Sequence, residues 1–236
     1  MMNARIFKIL VLASFTLVFL TSGCATVPKV TVPFKTGTTL ETVSAMVSIS
    51  FKAPHMSSGG RGYMLYKRPD RFHLVILTPF GTTAMETFSS NNTLTILIPS
   101  KGVAYAGTFD ELPGNSPLLG WRMINLLAAD KPLFDPGKRG TIEKGESAFG
   151  VINSFYDNAG FLTREKFRQG EEISFLNYQS EEGIPFPLVI EFTDLNGSRV
   201  KITFDEPEIN KPVDDAALTP NLEGITVLPL ENFKGI

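Results

Sequence analysis

From Val43 to Gly107 the chain repeats one pattern: a short run of strand-forming residues, a turn, and another short run. Val47, Ile49 and Phe51 alternate with Met46, Ser48 and Ser50. This is the period of two that belongs to a strand and not to a helix. Arg61–Lys67, Phe72–Leu77, Thr83–Phe88, Thr93–Ile98 and Val103–Gly107 read the same way, and Pro54 to Gly60, rich in serine and glycine, reads as a break. Arg68-Pro69-Asp70, Thr78-Pro79-Phe80-Gly81 and Asn91-Asn92 supply the turns, each with residues that preset or tolerate turn dihedrals. Turns every eight to twelve residues predict an antiparallel sheet, as a sandwich or a barrel. Phe72–Leu77 carries a single polar residue, His73. Both of its faces therefore need cover, from another layer, a helix or an apolar ligand. With one cysteine in 236 residues no internal disulfide can form, and the fold must rest on packing.

The second half resumes the pattern. Strands are expected at Ser147–Tyr156, Phe161–Arg168, Ile173–Tyr178, Pro187–Thr193 and Arg199–Phe204. Gln169-Gly170-Glu171 and Asn196-Gly197 are hairpin signals. Lys131–Glu146, rich in glycine, proline and charge, reads as loop. Between the halves lies the clearest helix signal. Ser116 caps, Pro117 suits the first turn, and Leu119, Met123 and Leu127 recur at four with Ile124 beside them. Trp121 sits in the same stretch. A stripe of this kind serves equally as a lid over a cavity or as a helix packed on a sheet. The tail from Pro207 carries no pattern that places it.

The amino terminus is a separate text. Arg5 and Lys8 precede an uncharged apolar run, Ile9–Leu20, too short for the roughly 20 residues of a membrane span and patterned as a secretory leader. Leu20-Thr21-Ser22-Gly23-Cys24 resembles a bacterial lipobox, with Thr21 where leucine is usual. The resemblance implies cleavage before Cys24 and acylation of that cysteine. Residues 1–23 are then a lipoprotein signal peptide, 24–42 a lipidated tether, and 43–236 one domain. Ala25 in place of aspartate favours the outer membrane by the sorting rule of many Gram-negative bacteria. Two of the 22 basic residues lie in the leader, against 24 acidic ones in the whole chain. That balance offers no electrostatic footprint for nucleic acid.

Catalytic chemistry is not in evidence. His55 and His73 have no ligand-spaced partners, and neither a nucleophile elbow nor a phosphate-cradling loop occurs. Glu181-Glu182 and Asp214-Asp215 read as solvated surface. No enzyme activity, metal or cofactor is expected.

The stretch Tyr63–Thr83 resembles the LolB family of outer-membrane lipoprotein receptors. It has their strand, Arg-Pro turn, apolar strand, Pro-apolar-Gly loop and return strand. The resemblance extends more weakly from Ala45 to Asp205. It implies a mainly β (α+β) fold, an antiparallel sheet curled into an incomplete barrel, closed by a helical lid over an apolar cavity. It also implies a monomer that takes the acyl chains of lipoproteins from a periplasmic LolA-like carrier and inserts them into the outer membrane, itself lipid-anchored and facing the periplasm. Leu65, Leu74, Ile76, Phe175 and Phe192, with Leu119, Trp121, Met123, Ile124 and Leu127 from the helix, are the expected cavity and lid positions. Pro79, Phe80 and Gly81 form the expected membrane-insertion loop, with Phe80 at its tip. Two other roles stay open on the same fold: a carrier or sensor of another hydrophobic ligand, and a structural envelope lipoprotein with a filled core.

Overall fold

Val43, Ala45 and Val47 are buried while Met46 and Ser48 are exposed, so β1 (Thr42–Ala53) has one dry face and one wet one, as its alternation requires. The same logic builds twelve further strands in a computed structural model that describes residues 34–53, 56–112, 132–147 and 150–233. They are β2 (Met56–Lys67), β3 (Arg71–Leu77), β4 (Thr83–Ser90), β5 (Thr93–Ile98), β6 (Val103–Thr108), β7 (Ile142–Ser147), β8 (Gly150–Tyr156), β9 (Leu162–Phe167), β10 (Glu172–Glu181), β11 (Ile184–Thr193), β12 (Arg199–Ile209) and β13 (Thr226–Pro229). All the described residues belong to one unit, Pro33–Ile236. Among them, helix is limited to short 3-10 turns.

The strands form one sheet, in the order β13-β6-β5-β4-β3-β2-β1-β12-β11-β10-β9-β8-β7. It consists of two six-stranded meanders, β1–β6 and β7–β12, joined where the first strand pairs with the twelfth. Neighbours in sequence are neighbours in space, the arrangement that short connections favour. Every pairing is antiparallel except β13, which adds parallel to β6. The turns follow their chemistry. Asn91 and Asn92 both take positive φ, 50° and 63°, as a two-residue hairpin demands and asparagine tolerates. Asp194 Oδ1 accepts from the amides of Asn196 and Ser198, 2.8 Å each, beside Gly197 at φ 78°.

The sheet curls. Val43, Ala45 and Val47 of β1, Met64 and Tyr66 of β2, and Phe72 and Leu74 of β3 share one buried cluster with Ile152, Phe167, Ile173, Phe175, Ile190, Ile202 and Phe204 from the other meander. A flat sheet could not bring these together. A second cluster, Met85, Leu94, Ile96, Phe109, Leu112 and Leu230, lies along β4–β6. The face carrying these residues is called inner, the other outer.

Two sequence expectations are corrected. Pro54–Gly60 is not a break throughout, because β2 begins at Met56 and its serines and glycines pair residue by residue with β1, from Ala53↔Met56 to Ile49↔Gly60. The ladder supplies what the side chains lack. The loop expected at Lys131–Glu146 contains most of β7, whose only large apolar residue, Ile142, is exposed. As the terminal strand of the sheet, β7 needs charge more than apolar bulk. The expected strand Ser147–Tyr156 is thus the end of one strand and the whole of the next.

The tail finds its place on the outer face. His73 Nδ1–H donates to Ala217 O at 2.8 Å, and Nε2 lies 2.9 Å from Glu86 Oε2. The imidazole stacks on Phe88 at 4.0 Å between centroids. Lys67 and Arg71 reach Asp215 at 2.8 and 2.7 Å. From this clamp the chain runs to β13 at the edge of the sheet.

Candidate functional site

Antiparallel order gives the sheet two ends. One end carries the β3–β4 loop, the β9–β10 loop and the β11–β12 loop; the opposite end carries the β2–β3, β4–β5, β8–β9 and β10–β11 turns. The two ends differ in packing. Toward the second end the inner face is filled: Tyr66, Phe72, Leu94 and Phe186 are wholly buried. Beyond them, Phe34, Phe134, Phe161 and Tyr178 form a chain of ring contacts with centroids 4.7 to 5.5 Å apart. The Tyr178 hydroxyl donates to Leu162 O at 2.7 Å, and enclosure of the phenol end pushes its pKa well above the ordinary value. Lys35 N–H donates to Gly183 O at 2.7 Å, and Leu40 is buried in the core. Residues 34–42 are thus packed against this end.

Toward the first end the inner face remains apolar but is only half-buried. Ile49 and Phe51 of β1, Ile76 of β3, Phe192 of β11 and Val200 of β12 are all in this state. Register brings Phe51, Val200 and Phe192 side by side across three strands. The inner positions of β2 here are Ser58, Gly60 and Gly62, which add no apolar bulk. Ile76 leans over Gly60, where an added Cβ would stand 3.2 Å from its Cγ2. We call this half-buried apolar end the mouth.

The β3–β4 loop projects from the same end. Thr78 N–H donates to Thr82 O at 2.8 Å, Gly81 N–H donates to Thr78 O at 2.9 Å, and the two threonine hydroxyls are 2.8 Å apart. Gly81 has φ 81°, a value that costs glycine little. The loop is tied at its base, and Phe80 at its tip is 94% exposed. Leu195, in the β11–β12 loop at the same end, is also exposed.

Of the residues singled out from sequence, Ile76 and Phe192 lie at the mouth, and Leu74 and Phe175 lie deeper on the same face, fully buried. Leu65 does not join them. It alternates with Met64 and Tyr66 and pairs with Ser44 and His73, which puts it on the outer face. Leu119, Trp121, Met123, Ile124 and Leu127 lie outside the described residues, as do Cys24 and the leader. Sequence reading missed two polar features of the inner face. Ser154 Oγ donates to Glu165 Oε1 at 3.0 Å, both buried; and Thr87 and Ser89 sit among apolar neighbours on β4. Their signal was period two: each falls on the strand face that also carries buried apolar residues. Among the described residues no group of His, Cys, Asp or Glu gathers as a metal site, and no helix is long and apolar enough to cross a membrane.

The fold is similar to that of solved structures. A DUF1329 family protein from Desulfovibrio piger superposes with a TM-score of 0.58 at 10% identity, over 76% of this chain and 90% of that one. A LolA superfamily protein from Nitrosomonas europaea gives 0.52 at 12%, over 80% and 93%. The fold is LolA-like. A domain described as an outer membrane lipoprotein-sorting protein, from Vibrio parahaemolyticus, gives 0.53 at 11%, over 75% and 89%. No family model matches the sequence, and no curated protein matches it. The LolA-like likeness is therefore one of architecture, carried by a curled antiparallel sheet and not by shared residues.

Proposed function

We propose that this chain is a lipid-anchored envelope protein, attached through Cys24 to the outer membrane and facing the periplasm. In this reading its domain takes up acyl chains of lipoproteins and helps pass them into the bilayer. It acts as a monomer and without catalysis. The observation that carries the reading is the pairing of a half-buried apolar mouth with a fully exposed phenylalanine at the same end of the sheet. A LolA-like fold and a lipobox-like leader support it.

The physics fits a hand-over. Each methylene removed from water is worth about 0.8 kcal/mol, so acyl chains need an apolar enclosure to cross water. The bilayer must hold them more firmly still, or release fails. Ile49, Phe51, Ile76, Phe192 and Val200 offer aliphatic and aromatic contact without charge, which binds by area and not by direction. A Phe80 ring entering the membrane interface would gain about 2 kcal/mol, enough to bring the mouth to the bilayer transiently.

The test is Phe80→Glu. The side chain is solvated, so its melting curve should stay within about 0.5 kcal/mol of wild type, and binding of a fluorescent fatty acid should persist. Delivery of a lipoprotein to liposomes should slow severalfold. Normal delivery by this variant would remove the membrane role of the loop. Fatty-acid binding without any lipoprotein transfer by the wild type would leave a carrier or sensor of another hydrophobic ligand.

A further inference from the structure

Thr87 and Ser89 are the anomaly of the inner face. They lie two residues apart on β4, on the same face as Met85, and are 0% and 2% exposed. Neither Thr87 Oγ1 nor Ser89 Oγ has a hydrogen-bond partner among the described residues. Register surrounds them with hydrocarbon: Thr87 stands between Leu74 and Ile96, and Ser89 between Phe72 and Leu94. All four of those neighbours are wholly buried. A buried hydroxyl left unpaired costs about 1–3 kcal/mol, whereas an apolar residue of the same shape would cost nothing. Valine and alanine would serve packing better at these positions.

The two hydroxyls lie where the apolar clusters of the inner face meet. Phe72 and Leu74 belong to one, Met85, Leu94 and Ile96 to the other. Met85 pairs with Ile76, a mouth residue. Thr87 is thus one pleat repeat, about 7 Å, inward from the mouth, and Ser89 a similar step deeper. A hydroxyl can donate one hydrogen bond and accept others, so a ligand oxygen would complete both once Phe72, Leu74, Leu94 and Ile96 part to admit it. Hydrocarbon neighbours make burial of an anion costly, which disfavours a carboxylate.

We propose that Thr87 and Ser89 are a binding site for neutral carbonyl oxygens at the head of an acyl chain, of the kind found in esters and amides. The site draws the linkage of the lipid below the mouth and does not hold the hydrocarbon alone. This rests on the acyl-binding reading above, and the experiment separates the two.

Equilibrium dialysis of the full chain uses two tritiated lipids with the same sixteen-carbon chain: 1-palmitoylglycerol, an ester, and 1-O-hexadecylglycerol, its ether analogue without the carbonyl. Wild type should hold the ester about tenfold tighter than the ether. Thr87→Val with Ser89→Ala should bind both lipids equally, at the affinity wild type shows for the ether. Its melting temperature should be no lower than wild type, since the unpaired hydroxyls are gone. Equal binding of ester and ether by wild type overturns the site while leaving acyl binding intact, and so does a preference that survives in the double variant. Binding of neither lipid removes the acyl-binding reading and the site together. Palmitate held more tightly than the ester at neutral pH overturns the neutral-carbonyl assignment. A lower melting temperature in both Thr87→Val and Ser89→Ala, made singly, shows that the hydroxyls already have partners, and overturns the site as well.

Discussion

At Gly62 the backbones of β2 and β3 approach so closely that an added Cβ would be driven into the carbonyl oxygen of Val75. Gly62→Ala is accordingly expected to cost about 3 kcal/mol, the upper range for overpacking, although alanine is a mild change on most strands. A denaturation midpoint within experimental error of wild type would contradict this. Gly60, one pleat repeat away, would meet the Cγ2 methyl of Ile76 at 3.2 Å and no backbone atom, so the two glycines are not equivalent. Sequence alone does not show this difference: Gly60 ends the stretch that reads as a break, Gly62 falls in the strand expected at Arg61–Lys67, and neither reading says how near the next backbone runs. Phe80 is different. Proline before it and glycine after it mark a turn, and the turn places the ring outside. What sequence could not supply at this scale was side-chain direction. Leu65 and Leu74 look alike in composition, yet register puts them on opposite faces, and a one-residue shift would exchange them.

The outer-face strap formed by the tail is the element least visible in sequence. Its residues have no period, and their hold depends on partners more than 140 positions away: His73 Nδ1–H on Ala217 O, and Lys67 and Arg71 on Asp215. The Lys67 hydrogen bond, aided by the charges of Lys67 and Arg71, holds the Asp215 carboxyl below its usual 3.8. A depressed carboxyl contributes stability above its unfolded value and loses it as pH falls through the lower folded value. Amide protection of residues 215–219 should therefore drop as pH falls below the usual 3.8 of an aspartate, and Asp215→Asn should show weak protection already at neutral pH. Unchanged protection in that variant would assign the strap to its other holds, His73 on Ala217 O, Arg71 on Asp215 O and the buried Leu218. β7 teaches the complementary lesson. A strand at the end of a sheet is selected for charge, so the polar composition that hides it from pattern reading is the reason it is safe there.

For the molecule as a whole, the decisive pairing is β1 with β12, which joins two meanders, legible from sequence except for β7, into one sheet that was not. Turn signals specify neighbours; they do not say that the first and twelfth strands meet. Val47 pairs with Phe204, and Phe204 packs edge-on against Phe186 at 5.0 Å. Phe204→Ala should cost about 4 kcal/mol, lowering the melting temperature by about 10 °C. Because the cluster spans both meanders, calorimetry should still show one transition; two would mean that each meander holds itself. Sequence resemblance pointed to a curled sheet, and the structure and its solved relatives agree on that architecture.

The aromatic plug of Phe34, Phe134, Phe161 and Tyr178 has a kinetic meaning. In the proposed acyl-binding reading, an inner face filled by these rings at one end leaves the mouth at the other as the door among the described residues. Under that reading, donor and acceptor would stand at that door in turn, never together. Delivery would then follow double-displacement kinetics, with the donor gone before the acceptor arrives. The exchange rate would be set by how quickly the doorway is vacated, and raising donor concentration would eventually slow the hand-over.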